Sequence, residues 1–353
     1  MLKRSKFSCR FENIPKSIWG YISTIEELKG QWIGGAKFSP KVLNRLKRSV
    51  LVTSAGASTR IEGAELDDRA VEQLIGGLKM QKFAMRDKQE VQGYYETLSN
   101  IFDSWESIKL SENVLKHLHQ ELLKYVDKDE RHRGEYKKGE NKVIAKDEEG
   151  KTVAVVFEPT PAYLVPKETQ ELIDWVNEEL ESKELHPLLV IANFLVEFLK
   201  IHPFQDGNGR LSRLLTNLLL LKQGYEYMPY VSHEKLIEDN KSDYYVALRR
   251  SQTSFNTKEE TIIPWLEFFF KILLKQSESA IGLLSGENIE KLLSPNQLSV
   301  WEYLVKNKQA SVGDVVKNTG TARATAKQAI EKLLQLKKIE RIGEGRATSY
   351  RVV

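Results

Sequence analysis

The 353-residue sequence contains one cysteine, Cys9. This excludes an internal disulfide framework and any site built from several thiolates, and it suits a reducing compartment, so a cytoplasmic protein is expected. Long hydrophobic runs are missing too. The most apolar windows, residues 188–201 and 262–274, are short and carry Glu197 and Lys200 in one and Pro264, Glu267 and Lys271 in the other. They read as core helices rather than membrane spans. The basic start MLKRSKFSCRFENIP lacks the apolar stretch a signal peptide needs. There are only ten prolines and no low-complexity tract, and the chain is 41% hydrophobic and 29% charged, which excludes wholesale disorder. No GxxxxGK[ST] occurs, so a Walker-type phosphate loop is excluded as well.

The net charge of +4 conceals an asymmetry: residues from Ser294 onward carry +6 and the rest −2. Apolar residues recur at helical spacing through 41–130, which predicts a helical bundle. KVIAKDEEGKTVAVVFEP instead offers two short β-branched runs around a turn, a hairpin flap on the helical body. Helices are predicted over 167–181, 187–201, 241–253 and 264–284, with a looser stretch around GLLSGENIEKLLSPNQ. Beyond it the pattern of three helices and a glycine-turned hairpin predicts a winged helix-turn-helix. The fold class expected is mainly α, with an N-terminal helical region over 1–100, a catalytic domain over 101–285 and a winged helix over 286–353.

The chemistry concentrates in IHPFQDGNGRLSRLL, residues 201–215. Leu211, Leu214, Leu215, Leu218 and Leu219 form one buried stripe, so the glycines lie at the start of a buried helix, whose unpaired N–H groups and partial positive charge attract anions. Gly207 and Gly209 let a phosphate approach, Asn208 can add a side-chain donor, and Arg210 and Arg213 can neutralise a polyphosphate. Asp206 supplies an oxygen for the Mg²⁺ that accompanies such a ligand. His202, at the end of the preceding apolar helix, can accept a hydroxyl proton near neutral pH. Pro203 and Phe204 lock the loop into the core. The set predicts phosphoryl or nucleotidyl transfer to an alcohol.

These residues match, at every fixed position, the HxFx(D/E)GNGRxxR signature of the Fic family, and residues 100–275 resemble its catalytic domain. The resemblance implies a protein adenylyltransferase that moves AMP from ATP onto a Ser, Thr or Tyr hydroxyl of a target protein or of itself. His202 is then the base, Asp206 the Mg²⁺ ligand, Gly207, Asn208, Gly209 and Arg210 the phosphate binders, and Arg213 the holder of the γ-phosphate. A kinase-like branch carries lysine where this chain has Gly209, so AMP transfer is favoured. The flap around Val143, Ile144 and Ala145, with Lys142 at its edge, would pair with the target backbone as an added strand.

Upstream, Ser58-x-x-x-Glu62-Gly63 resembles the inhibitory (S/T)xxxE(G/N) motif of one Fic class. Glu62 would pair with Arg213, and the resemblance allows it also to orient a water for AMP removal. NKSDYYVALRRSQ resembles the helix beside the purine, which points to Tyr244 for stacking and Gln252 for a polar contact. Homodimerisation is a family-level expectation. Arg323 and Lys327 on the second helix-turn-helix helix, and Arg346 in the wing, would suit duplex phosphates. The competing assignments are an ATP-sensing DNA-binding regulator and a kinase-like phosphotransferase. A sensor, however, has no use for His202.

Overall fold

A computed structural model describes residues 6–35, 40–77, 85–140, 143–146, 152–292, 294–335, 338–343 and 348–352. They form two compact units, 1–280 and 281–353. The first unit is helical around one hairpin. Helix α1 (Lys16–Gly35) buries Ile18, Ile22, Ile25 and Trp32 on one face. Helix α2 (Pro40–Ile61) packs against α4 (Met85–Ser104), with the short α3 (Asp68–Ile75) between them in sequence. Helix α5 (Glu112–Leu123) starts where the Ser111 hydroxyl accepts the Val114 N–H at 3.2 Å, satisfying one of the donors a helix start leaves open.

The hairpin expected from the β-branched runs forms as β1 (Val143–Lys146) and β2 (Thr152–Phe157), antiparallel with Ala145 opposite Ala154. Helix α6 (Val165–Ser182) then packs on α7 (Pro187–Ile201), and α7 on α8 (Asn208–Lys222). Nearly every residue of α7 is buried, Glu197 included. A carboxylate there needs a partner, and the Arg10 guanidinium supplies it while lying 3.7 Å over the Phe255 ring. Three further helices, α9 (His233–Glu238), α10 (Lys241–Ser254) and α11 (Ile263–Leu292), follow. Helix α11 runs past the expected end at 284, through Gly282 and Gly286. A helix-interior glycine costs only about 1 kcal/mol, too little to stop a helix anchored upstream by buried aromatic residues.

The second unit is the expected winged helix. Helices α12 (Pro295–Asn307) and α13 (Val312–Thr319) both open on capping boxes, and α14 (Arg323–Gln335) follows. Strands β3 (Gln309–Ala310), β4 (Ile339–Ile342) and β5 (Ser349–Val352) pair in the order β3-β5-β4. Two-residue β3 leaves no periodic signal and is not foreseen from sequence. Val300, Leu304, Val315, Ala326, Ile330 and Leu333 form the core of this unit. No described helix in either unit is long and apolar enough to cross a membrane.

Candidate active site

The loop between α7 and α8 brings the motif residues together. His202 caps α7 in the left-handed conformation, φ 52°, a state that costs a residue with a Cβ about 1–2 kcal/mol and that turns the imidazole out of the helix. Its Nδ1 lies 3.2 Å from the Leu199 carbonyl. A carbonyl only accepts, so Nδ1 carries the proton and Nε2 is the basic nitrogen. Burial, reinforced by the Lys137 charge, lowers the His202 pKa to about 4 against the pull of Glu62 and Asp206. The ring is therefore neutral, as a base must be.

Gly207, at φ 80°, is the N-cap of α8, and beyond it the first N–H groups of the helix lack acceptors within it. That end already holds an anion. A Cβ at Gly209 would run into Glu62 Oε1, so the Glu62 carboxylate lies against the helix start. The same oxygen accepts from Arg213 Nη2 at 2.7 Å. Arg213 is 1% exposed; its Nε donates to the Ser58 hydroxyl at 2.8 Å, and Nη2 donates also to the Ser58 carbonyl at 2.9 Å. Burial pulls the Arg213 pKa down, but the Glu62 carboxylate together with Tyr244 and Tyr94 outweighs it and the net shift is upward. Ser58 sits in the last turn of α2, so it does not cap a helix start, and Gly63 turns the chain away at φ 105°.

Asp206 accepts the Gly207 N–H at 2.7 Å through Oδ1 and faces two guanidiniums through Oδ2, Arg86 at 2.6 Å and Arg210 at 3.1 Å. Burial raises its pKa, but Arg210, Gly207 N–H and Arg86 together bring it below the ordinary value. It offers one partly exposed carboxylate beside the cradle. No group of three or more metal-ligating side chains occurs among the described residues. The Asp206 carboxylate could give one oxygen to a cation whose other oxygens a polyphosphate supplies.

Residues 109–220 match the Fic/DOC family, and residues 307–353 match the C-terminal domain of DIP2311-like transcriptional regulators. Residues 109–220 are therefore similar to a Fic domain. The chain is 32% identical over 149 residues to protein adenylyltransferase Fic of Drosophila willistoni, covering 38% of this chain and 27% of that one. It is 35% identical over 81 residues to a probable protein adenylyltransferase of Aquifex aeolicus, covering 23% and 24%. The matches therefore span about a quarter of those relatives' length. A crystal structure of a Fic family protein from Desulfovibrio desulfuricans G20 superposes with a TM-score of 0.63 at 25% identity, over 97% of both chains.

The geometry of the site corrects several expected roles. The Asn208 carboxamide does not point into the cradle; it bonds the Phe204 N–H at 2.9 Å and carbonyl at 2.8 Å, closing the loop on itself. Arg210 does not join Arg213. It pairs with Glu90 at 2.9 Å and with Asp206, because a buried guanidinium takes the nearest carboxylates. Tyr244 is buried against Trp265 and Phe268, so its ring is core rather than an open stacking face. Its neighbour Tyr245 is exposed, with its hydroxyl 3.3 Å from the Ile61 carbonyl beside Glu62. Gln252 Nε2 donates to the Val196 carbonyl at 3.4 Å.

In the flap, Val143, Ile144 and Ala145 lie in β1, while Lys142 lies outside the described residues, as does Arg346 of the wing. Arg86, Glu90 and His119 complete the surroundings of the motif from α4 and α5. No local spacing marks them, since each meets the loop from at least 80 residues away in sequence.

Proposed function

We propose that this protein is an autoinhibited adenylyltransferase that transfers AMP from ATP to a Ser, Thr or Tyr hydroxyl of a protein, itself included. The observation that carries the proposal is the Glu62 carboxylate held between the start of α8 and Arg213. A site built for an anion, with its arginine already charged and paired, holds a side chain where a phosphate belongs. His202 Nε2 takes the hydroxyl proton, the oxygen forms its bond to the α-phosphorus, and the bond to pyrophosphate breaks. The backbone N–H groups after Gly207 receive the phosphate charge, and Arg213, once released by Glu62, holds the γ-phosphate. Mg²⁺, bound through Asp206, would neutralise the phosphate oxygens. The exposed ring of Tyr245, in place of Tyr244, is the purine's stacking partner, and the edge of β1 that pairs with no described strand registers the target strand.

The test is the fate of label. Protein should acquire label from α-³²P-ATP and none from γ-³²P-ATP, since Gly209 leaves the α-phosphate room at the helix start. Transfer of the γ-label would make the domain a kinase-like phosphotransferase. Arg86 adds a second expectation. Its guanidinium, on a side chain 43% exposed, covers the Asp206 oxygen that Mg²⁺ needs, and an exposed pair of this kind contributes about 0.2–1 kcal/mol. Arg86→Gln should therefore lower the Mg²⁺ concentration for half-maximal transfer by up to about fivefold, read from initial rates across a Mg²⁺ titration. An unchanged midpoint makes the pair a bystander.

The winged helix supports a role in bringing the enzyme to duplex DNA. Arg323 and Lys327 are exposed on one face of α14, and the regulator-like match covers residues 307–353, α14 included. Arg351 is less available, being paired with Glu340. Fluorescence anisotropy of the full chain with a labelled duplex should show binding that weakens with salt and is lost in Arg323→Glu/Lys327→Glu. Salt-insensitive or absent binding would leave protein docking, including homodimerisation, as the role of the unit.

A further inference from the structure

His119 is fully buried, and the chemistry proposed above makes no use of it. Its two ring nitrogens face opposite kinds of partner. The Gly134 N–H points at Nδ1 from 3.0 Å, so Nδ1 is the acceptor. Nε2 lies 2.9 Å from the Asp206 carbonyl oxygen, so Nε2 carries the proton and donates it. These two contacts fix one neutral tautomer, with the proton on the nitrogen opposite to that of His202.

The ring is also a packing surface for the loop. It stacks on Phe204 at 3.8 Å and 11°. A Cβ at Gly207 would stand 3.4 Å from Nε2, so the left-handed cap of α8 turns directly against it. The opposite side of the loop is held by the backbone that follows Gly134. Tyr136 bridges to Phe204, and the Lys137 N–H donates to the Pro203 carbonyl at 2.9 Å. His119 thus touches Phe204 and Asp206 and stands where a side chain at Gly207 would go. It also ties Asp206 to the strap at residues 134–137, on which the other side of the loop depends.

We propose that His119 is a positioning residue. Its Nε2–H holds the Asp206 carbonyl, and through that peptide it sets both the aim of the Asp206 carboxylate and the opening of the α8 N-terminus toward polyphosphate. The inference rests on the adenylyltransferase assignment for its consequence, but not for its geometry. A carbonyl fixed one bond from the Asp206 Cα leaves the carboxylate few ways to point. Losing the donor lets the Asp206–Gly207 peptide rotate and strands a buried carbonyl and the Gly134 N–H without partners.

Two substitutions separate the roles of the ring. His119→Phe keeps the stack on Phe204 and removes both hydrogen bonds; His119→Gln can restore the donor to Asp206 but loses the stack. In a Glu62→Gly background, His119→Phe should raise the KM for Mg·ATP about tenfold or more and weaken Mn²⁺-dependent ATP binding, read by calorimetry, to the same degree. His119→Gln should recover most of that binding. A role confined to packing would give the reverse order, with His119→Gln the weaker binder, and would overturn the proposal. Calorimetry separates this failure from failure of the enzymatic assignment, because nucleotide binding is read whether or not AMP is transferred. Should both variants fold poorly, ¹⁵N NMR of the wild-type full chain decides. The expected pattern is protonated Nε2 and bare Nδ1 for His119; the opposite tautomer, or one exchanging freely between the two, would refute the donor to Asp206.

Discussion

Replacing His202 by alanine is expected to lower the rate of AMP transfer by about 10²–10⁴-fold, the usual contribution of a positioned general base, with ATP binding nearly unchanged. The imidazole acts on the acceptor hydroxyl, whereas the nucleotide is held by α8 and Arg213. Left-handed His202 also makes alanine a tolerable replacement for the fold, since both residues carry a Cβ and meet the same backbone strain. A pH profile gives an independent check. Burial and the Lys137 charge hold the His202 pKa near 4, and the neutral ring is the active form. The base is therefore present above that value and lost as pH falls through it. The acid limb of kcat/KM should thus lie near pH 4 rather than at the ordinary histidine value of about 6.5. In Glu62→Gly the limb should move lower still, because a carboxylate that favours the charged ring is gone. Undiminished labelling of protein by His202→Ala would remove this residue from the chemistry.

The second large effect is a gain. Glu62→Gly frees the cradle and Arg213 together, and coupling between an inhibitory contact and a ligand of about 1–3 kcal/mol corresponds to roughly a 5- to 150-fold increase in transfer. Both self-modification and target modification should rise. The variant should remain folded, because Arg213 keeps the Ser58 hydroxyl and carbonyl as partners. Arg213→Ala should show no gain, since it discards the γ-phosphate's partner along with the inhibitor's, and the double variant should resemble it. Initial rates for the wild type, both single variants and the double variant at saturating Mg·ATP supply the comparison. A Glu62→Gly enzyme no faster than wild type would reduce the Glu62–Arg213 contact to a structural ion pair.

The sequence by itself determined the features written in contiguous residues. The apolar run 187–201, the glycines at 207 and 209 and the leucine stripe after them dictate a buried helix pair with a polar loop between, because their signals are periodicity and local backbone freedom. The β-branched runs around DEEG and the three-helix, hairpin order after Ser294 are equally local, and both formed as expected. Ser58 and Glu62 were legible only through their likeness to a family motif. That they meet Arg213, some 150 residues away, is a fact of how α2 packs against α8. Tertiary structure alone decided which donors face the cradle. Arg210 and Arg213 stand three apart on one helix, yet each guanidinium turns to the carboxylate its own neighbourhood supplies, Glu90 from α4 or Glu62 after α2. Tyr244 and Tyr245 are equivalent in composition, and only the packing of α10 on α11 puts one ring in the core and the other at the surface. His119 and Arg86 carry no sequence mark, because what places them is their contact with Asp206, and that contact joins segments distant in sequence.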